Sequence, residues 1–307
     1  RGVAQAYFDV LAAQDTLDTS RTSKRAIGEQ LASAKRNFEV GTATITDARE
    51  AQARSDLADA TELQAENDLR ARRIALDVLV GSADVKPKQL NTPLAKVALE
   101  PGNVEEWVTT AYRLHPDIER ARVALEVARL ETTKARAGDL PTVDAVAALS
   151  SADSRGSAIP FAGRTNAASI GVQLNWTLYN GHLTQNRVGE TLALEEKSEA
   201  DLLAARRGVA QRVRVAFYNV LTGQAQVQAL EAAEASSKLA LEATQLGYKV
   251  GVRVNLDVLN AQTQLFTTQR DLARARYNLI VSRLLLQQGA GQLTPADVEQ
   301  VNRLLAI

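Results

Sequence analysis

The side chains best suited to chemistry are few in this chain and stand apart from one another. The 307 residues contain no cysteine and two histidines, His115 and His182. His115 precedes a proline and His182 follows a predicted strand, so neither has the neighbours of a metal site or a catalytic triad. The sequence also lacks a P-loop, a paired-glycine dinucleotide turn and a serine elbow. It therefore predicts no enzyme, no metal site and no cofactor.

The polar residues that stand out lie in two segments of related sequence. Residues 38–52 read FEVGTATITDAREAQ, and residues 248–262 read YKVGVRVNLDVLNAQ. In one interpretation, the aspartate of each segment is simply an acid in a first helical turn, where the helix dipole favours it. In the other, the polar groups of the two turns have a function of their own. They are Thr46 and Asp47, which follow Gly41, and Arg253, Asp257 and Asn260, which follow Gly251.

The two segments belong to a longer internal duplication with an offset of 210 residues. Residues 1–81 correspond to residues 211–291 without a gap, which predicts two structural repeats with their equivalent turns at the same end of the molecule. Residues 104–210 have no counterpart. We therefore expect roughly a hundred residues to precede residue 1 in a complete pair of repeats, and the chain to be a fragment or a processed product. The absence of methionine and of a leader sequence agrees with this expectation.

The composition favours long helices over a thick globular core. Lysine and arginine number 36, aspartate and glutamate also number 36, and aromatic residues make up only 4% of the chain. The balanced charge argues against a nucleic-acid partner. No run of 18 apolar residues is present, so the sequence predicts no membrane-spanning helix.

The first repeat reads as a helical hairpin. Residues 1–40 and about 47–80 each have the apolar spacing of a helix, and Gly81 suits a left-handed C-terminal cap. Residues 82–103 contain three prolines, which predict an extended connection.

Further helices are predicted at residues 104–114, from residue 116 to about 137, and at 295–306. Residues 183–247 contain no proline and predict one helix of about 95 Å. Apolar and small residues recur every 3.5 positions in it and in the helix after the second turn. This spacing predicts a left-handed coiled coil.

Between these helices the apolar period changes to two. Residues 141–150 and 168–179 alternate apolar and polar side chains, and each segment has about the length of a tilted transmembrane strand. Trp176 and Tyr179 lie together at one end, where an aromatic girdle would be found. Residues 151–166 read as a polar loop. An ordinary soluble hairpin packed on the helices explains the alternation equally well.

Five segments of the chain carry a family resemblance. They read YKVGVRVNLDVLNAQTQLFTTQRDLARARYNLIVSRLLLQQGAGQL, FEVGTATITDAREAQARSDLADA, RGVAQAYFDVLAAQDTL, AGDLPTVDAVAALS and VQLNWTLYNGHLTQNRV. Together they closely resemble the TolC family of outer-membrane efflux and secretion ducts. The resemblance covers nearly the whole chain. It implies a homotrimer in the outer membrane of a Gram-negative bacterium, with four strands per protomer in a shared twelve-stranded barrel and helices in a periplasmic tunnel. The implied partners are a periplasmic adaptor (membrane fusion) protein, an inner-membrane ABC or RND-type translocase and outer-membrane lipid.

The resemblance also assigns roles to the polar turns. It implies a constriction at the periplasmic end, lined at positions that match Asp257 and Asn260, so that one of two expected acids is an amide here. Three copies would then present three carboxylates, with a weaker field for cations. It also implies gate-constraining links from Tyr248 and Arg253 to Thr46 and Asp47. An adaptor would break these links by favouring the open state.

The expected fold class is therefore mainly α, with long antiparallel coiled-coil hairpins of an α-barrel, a β-hairpin contributing to a transmembrane β-barrel, and two internal repeats. The function expected is a passive export duct; the alternative is a soluble coiled-coil scaffold without a channel. The expected regions are 1–81 (second half of repeat 1), 82–103 (linker), 104–140 (equatorial and tunnel helices of repeat 2), 141–180 (outer-membrane β-hairpin), 181–291 (tunnel hairpin of repeat 2) and 292–307 (tail helix).

Overall fold

The chain is mainly helical, with one antiparallel pair of strands. The computed structural model describes residues 2–82, 85–90, 99–154, 163–303 and 305. The elements in chain order are α1 (Gly2–Glu39), α2 (Ile45–Val80), α3 (Val104–Leu114), α4 (Pro116–Arg136), a short 3₁₀ helix (Ala137–Asp139), β1 (Thr142–Ser154), β2 (Gly163–Asn175), α5 (Leu183–Lys249), α6 (Asn255–Gly289) and α7 (Pro295–Arg303).

Most helix limits agree with the sequence-based prediction to within one or two residues. Helix α3 spans the predicted 104–114, and α2 ends at Gly81, whose φ of +71° gives the left-handed cap expected there. The predicted last helix, 295–306, is observed as α7 up to Arg303; residues 304, 306 and 307 lie outside the described part of the chain.

The strands differ from the prediction at both ends. They pair in register from Thr142 with Asn175 to Ser154 with Gly163, so they include residues predicted as loop. Cross-strand hydrogen bonds accompany the extension, since the Ser151 hydroxyl donates to Asn166 Oδ1 at 2.8 Å. Polar residues can thus continue a ladder that an apolar pattern alone does not reveal. At the other end β2 stops at Asn175, so the residues from 176 onward were wrongly placed in the strand.

The structure divides into two compact units. The first contains Arg1–His115 and Gly208–Ile307, and the second contains Pro116–Arg207. In the second unit α4 contacts the beginning of α5, where Arg129 and Glu195 form an ion pair at 3.4 Å. No helix in the described part of the chain combines the length and apolar character needed to span a membrane.

The first unit is held together by small side chains at the helix seams. Alanines alternate with larger residues along the faces that α1, α2 and α6 bury against each other, which allows the close approach of a coiled coil. Helix α5 packs on α6 through apolar residues, since Leu279 lies beside Gly223 and Val213 beside Gly289. An ion pair adds to this contact, with Arg276 Nη2 3.0 Å from Glu231 Oε1. Two buried clusters lie along these seams. One comprises Val10, Ala13, Leu17, Ala65, Leu69 and Leu76. The other comprises Ile27, Ala34, Ala51, Ala58 and Leu259.

One hydrogen bond with little access to solvent joins α6 to α1 away from the turns. The Tyr277 hydroxyl donates to Asp15 Oδ2 at 2.6 Å. Burial raises the pKa of Asp15, and Asp18 adds to the rise, while the Tyr277 hydroxyl and Arg276 oppose it. Burial and the carboxylate raise the pKa of Tyr277, so its hydroxyl remains a donor. The raised pKa means that ionised Asp15 is a cost to the folded state.

We predict that Tyr277→Phe destabilises the protein by about 1.5–3 kcal/mol at pH 7, because a largely desolvated carboxylate loses its donor. A carboxyl group whose pKa is raised by folding stabilises the folded state fully below its unfolded pKa. This stabilisation is lost as the pH rises through its folded pKa. Removing the hydroxyl raises the Asp15 pKa further, so the loss should be larger at pH 7 than at pH 4. Thermal unfolding at both pH values measures it. The exposed Tyr218→Phe is the matched control, and an equal loss at both pH values would contradict the assignment.

Candidate gate at the paired helix turns

The two turns between long helices have the same backbone geometry. Gly41 has a φ of +78° and Gly251 a φ of +81°, in the left-handed region that glycine adopts without strain. In each turn the glycine amide donates to the carbonyl three residues earlier, that of Phe38 at 3.0 Å and that of Tyr248 at 3.1 Å. The next amide donates five residues back, at 2.8 and 2.9 Å respectively. Equivalent positions in sequence thus form equivalent turns.

Each turn leads into a helix that begins with an aspartate cap. Asp47 Oδ2 accepts from the Thr44 amide at 3.0 Å, and Thr44 Oγ1 accepts from the Asp47 amide at 3.2 Å, which completes a capping box. Asp257 Oδ2 accepts from the Val254 amide at 3.4 Å. Valine has no side-chain acceptor, so only half of the box forms in the second turn. Both aspartates therefore have the local capping role that the helix dipole favours.

Two side-chain hydrogen bonds bring the turns together at one end of the first unit. Asn37 Nδ2 donates to the Tyr248 hydroxyl at 3.1 Å, which joins α1 to α5. Arg54 Nη2 donates to Asn260 Oδ1 at 3.1 Å, which joins α2 to α6. The two residues of each pair are more than 200 positions apart in the sequence. The expectation that both turns lie at the same end agrees with these contacts.

A third polar contact lies at the seam between α1 and α6. Gln30 donates to the side-chain oxygen of Asn255, the first residue of α6. Asn255 is buried, and its Nδ2 has no hydrogen-bond partner among the described residues. A buried polar residue at a coiled-coil seam fixes the register at a cost in stability. The seam is therefore less stable beside the turns than along its apolar part.

The links predicted from Tyr248 and Arg253 to Thr46 and Asp47 do not form within one copy of the described chain. Tyr248 contacts Asn37 instead. Arg253 Nη1 lies 3.7 Å from Asp257 Oδ2, in an ion pair whose arginine side chain is mostly exposed and whose aspartate side chain is partly exposed. Such a pair contributes little stability. Asp47 is engaged in its own helix cap, and Thr46 is exposed.

Sequence reasoning missed Asn37, Gln30 and Arg54. The duplication directed attention to positions that match between the copies, and these three do not match. Their counterparts 210 residues later are Gly247, Ala240 and Gln264. For Asn37 and Gln30, a polar residue where the other copy has a small one was the available signal, because such a difference breaks the symmetry of the repeat where two hairpins must contact each other.

The predicted aromatic pair lies in the second unit. Trp176 Nε1 donates to the carbonyl of Asp139 at 3.2 Å, so the indole is tied to the 3₁₀ helix before β1. Tyr179 is exposed and its ring lies edge-on to His182, with 6.2 Å between centroids. His115 caps the C-terminal end of α3 with its backbone amide.

Long helical hairpins with paired turns, together with an exposed β-hairpin, define a protein built like the outer membrane channel proteins. The crystal structure of the outer membrane protein VceC from Vibrio cholerae has this fold: it matches with a TM-score of 0.78 at 18% identity, over 94% of this chain and 68% of that one. The family model for the outer membrane efflux protein matches residues 1–82 and 107–292. The chain belongs to this family, which places the protein in the outer membrane.

Two curated relatives extend the match. The outer membrane protein TolC of Vibrio cholerae is 35% identical over 99% of this chain and 70% of its own length. The alkaline protease secretion protein AprF of Pseudomonas aeruginosa is 33% identical over 97% of this chain and 62% of its own length. The chain thus spans about two thirds of these relatives. The resemblance seen in the sequence motifs is confirmed.

Proposed function

We propose that this chain forms much of one protomer of a passive export duct that crosses the outer membrane and continues as a helical tunnel in the periplasm. The observation that carries the proposal is the pairing of the two turns at one end of the first unit. Two equivalent hairpins that stand side by side are the parts needed for a cylindrical wall of helices. The shared turn geometry also supports an origin of the two hairpins by internal duplication.

The β-hairpin supports a place in lipid for the second unit. One face of the paired strands carries Val143 opposite Leu174 and Ala147 opposite Ile170, and ends with Leu149. Ile170 and Leu149 are 92% and 90% exposed, so this face lacks a cover. Its seven residues along β1 span roughly 20–23 Å, close to the ~25 Å apolar band of outer-membrane barrels. Beyond this band the same face becomes polar.

We propose a homotrimer, since two strands close no barrel and several copies would have to share one. Each complete protomer would supply four strands to a twelve-stranded barrel, with outer-membrane lipid around the apolar band. Trp176 and Tyr179 come directly after β2 and would lie near the membrane interface. In this assembly the regions expected from the sequence would have separate roles, with residues 141–180 in the barrel and residues 1–81 and 181–291 in the tunnel wall.

The paired turns would form the gate of the duct. Asp257 and Asn260 would line the narrowest point, and the contacts of Tyr248 would hold it closed. Since Arg253 is not linked to Thr46 or Asp47 among the described residues of one copy, these gate-constraining links would form between neighbouring copies. Turn valines, among them Val40, Val250 and Val252, are exposed, which suits docking of a periplasmic adaptor protein.

An energy source must come from partners, because the chain offers no nucleotide-binding motif. An inner-membrane ABC or RND-type translocase reached through the adaptor would supply it. The name of one relative, the alkaline protease secretion protein AprF, indicates a polypeptide cargo. The cargo proposed for this duct therefore includes polypeptides as well as small toxic molecules.

Planar-bilayer recording of the complete protein tests this proposal. We expect discrete conductance steps from a detergent-purified trimer. The alternative, a soluble coiled-coil scaffold, predicts a water-soluble monomer that leaves the bilayer current unchanged. That result would reject the duct.

A further inference from the structure

Arg54 places a positive charge against the proposed constriction. Its guanidinium reaches from α2 to α6 and donates from Nη2 to Asn260 Oδ1 at 3.1 Å. The partner is an amide, so the contact positions the charge without neutralising it. Among the described residues no carboxylate forms an ion pair with Arg54. The arginine is also half-buried, which limits its freedom to turn away.

The cleft beside Arg54 supports this interpretation. A cavity of about 220 Å³ lies between α1, α2 and α6, lined by Arg54, Leu57, Phe266, Arg270 and several serine and threonine residues. The lining contains no aspartate or glutamate. The lining therefore supplies hydroxyl groups and a second arginine beside Arg54.

Asp257 is close enough for the two charges to act on the same passing ion. Residues three apart on a helix share a face, with about 5–6 Å between Cβ atoms, so Asp257 and Asn260 are neighbours on α6. Screening at physiological salt acts over about 8 Å. Arg253 lies on the other side of Asp257, at 3.7 Å. In each copy, Asp257 thus has two guanidinium groups near it, those of Arg253 and Arg54.

We propose that Arg54 sets the charge selectivity of the duct. Held on Asn260, it offsets the field of Asp257, so that the narrow end conducts anions at least as readily as cations. The cargo class that fits is therefore neutral or anionic at this point of the passage. The inference rests on the proposed function, because it requires Asp257 and Asn260 to line the constriction.

Reversal potentials in a KCl gradient test the inference on the complete protein in planar bilayers. Arg54→Gln should raise the ratio of cation to anion permeability on the order of threefold, and Arg54→Glu on the order of tenfold, since fixed charge sets the local ion concentration. Arg54→Lys keeps the charge and should stay near the wild type. Arg49→Gln is the matched control, an exposed arginine five residues earlier on α2.

The outcomes separate the inference from the duct itself. Conducting channels with the same permeability ratio in the wild type, Arg54→Gln and Arg54→Glu overturn the inference and leave the duct standing. An Arg49→Gln shift as large as that of Arg54→Gln also overturns it. If Arg54→Gln fails to assemble, Arg54→Lys is compared with Arg54→Glu, and equal permeability ratios in these two variants overturn the inference. No conductance from the wild type overturns both proposals.

Discussion

Replacing Tyr248 with phenylalanine is expected to raise the open probability of the complete channel by about tenfold or more. The change removes the hydroxyl that accepts from Asn37 at 3.1 Å and so releases α5 from α1 beside the turns. One hydrogen bond contributes about 0.5–1.5 kcal/mol. Three copies that move together would lose roughly 1.5–4.5 kcal/mol, and each 1.4 kcal/mol changes a two-state ratio by about tenfold. Single-channel recording measures the mean conductance and the open time.

The partner residue gives a strict control for this prediction. Asn37→Ala removes the same hydrogen bond from the other side, so the double variant should open no further than either single variant. Tyr218→Phe, at an exposed tyrosine of α5, should behave as the wild type. Unchanged conductance in both Tyr248→Phe and Asn37→Ala would mean that this contact does not hold the gate. A large effect of Arg253→Ala alone would favour links between copies.

The largest loss of stability is expected from Gly291→Ala. Gly291 has a φ of +72°, and a Cβ there would lie 2.7 Å from the carbonyl oxygen of Leu114 and 3.0 Å from the amide nitrogen of His115. Both are backbone atoms at the end of α3, which cannot rotate away. The left-handed conformation costs a non-glycine residue about 1–2 kcal/mol, and overpacking adds about 1–3 kcal/mol.

Gly81 is the matched control because it is the equivalent position of the first copy. Its φ is +71°, and a Cβ there would meet no atom within 4 Å. Gly81→Ala should therefore show the conformational cost alone. The difference between the thermal unfolding midpoints of Gly291→Ala and Gly81→Ala isolates the contact between the C-terminal end of α6 and α3. Equal midpoints would show that this contact is not tight.

Much of the fold was predictable because its signals are local. Helix α3 has its predicted limits, and Gly81 ends α2 as a left-handed cap, since caps and apolar spacing act within a few residues. The equivalence of the Gly41 and Gly251 turns followed from the duplication, which repeats the local signals of each turn.

The contacts between the hairpins were not predictable in the same way. Asn37, Gln30 and Arg54 lie at positions where the second copy has other residues, so the repeat gave no indication of them. Their partners are more than 200 residues away, and nothing local in the sequence pairs them. The strand limits failed for a related reason: cross-strand pairing, which extends β1 and β2 through polar residues, leaves no periodic apolar signal.

The central claim is that the end of α6 next to the paired turns faces the passage of the duct. These 307 residues contain no cysteine, so an Asp257→Cys substitution introduces the one reactive thiol among them. A charged thiol reagent added to open channels of the complete protein should reduce the bilayer current in up to three steps, one for each copy. A reagent that labels the introduced thiol yet leaves the current unchanged would contradict the account.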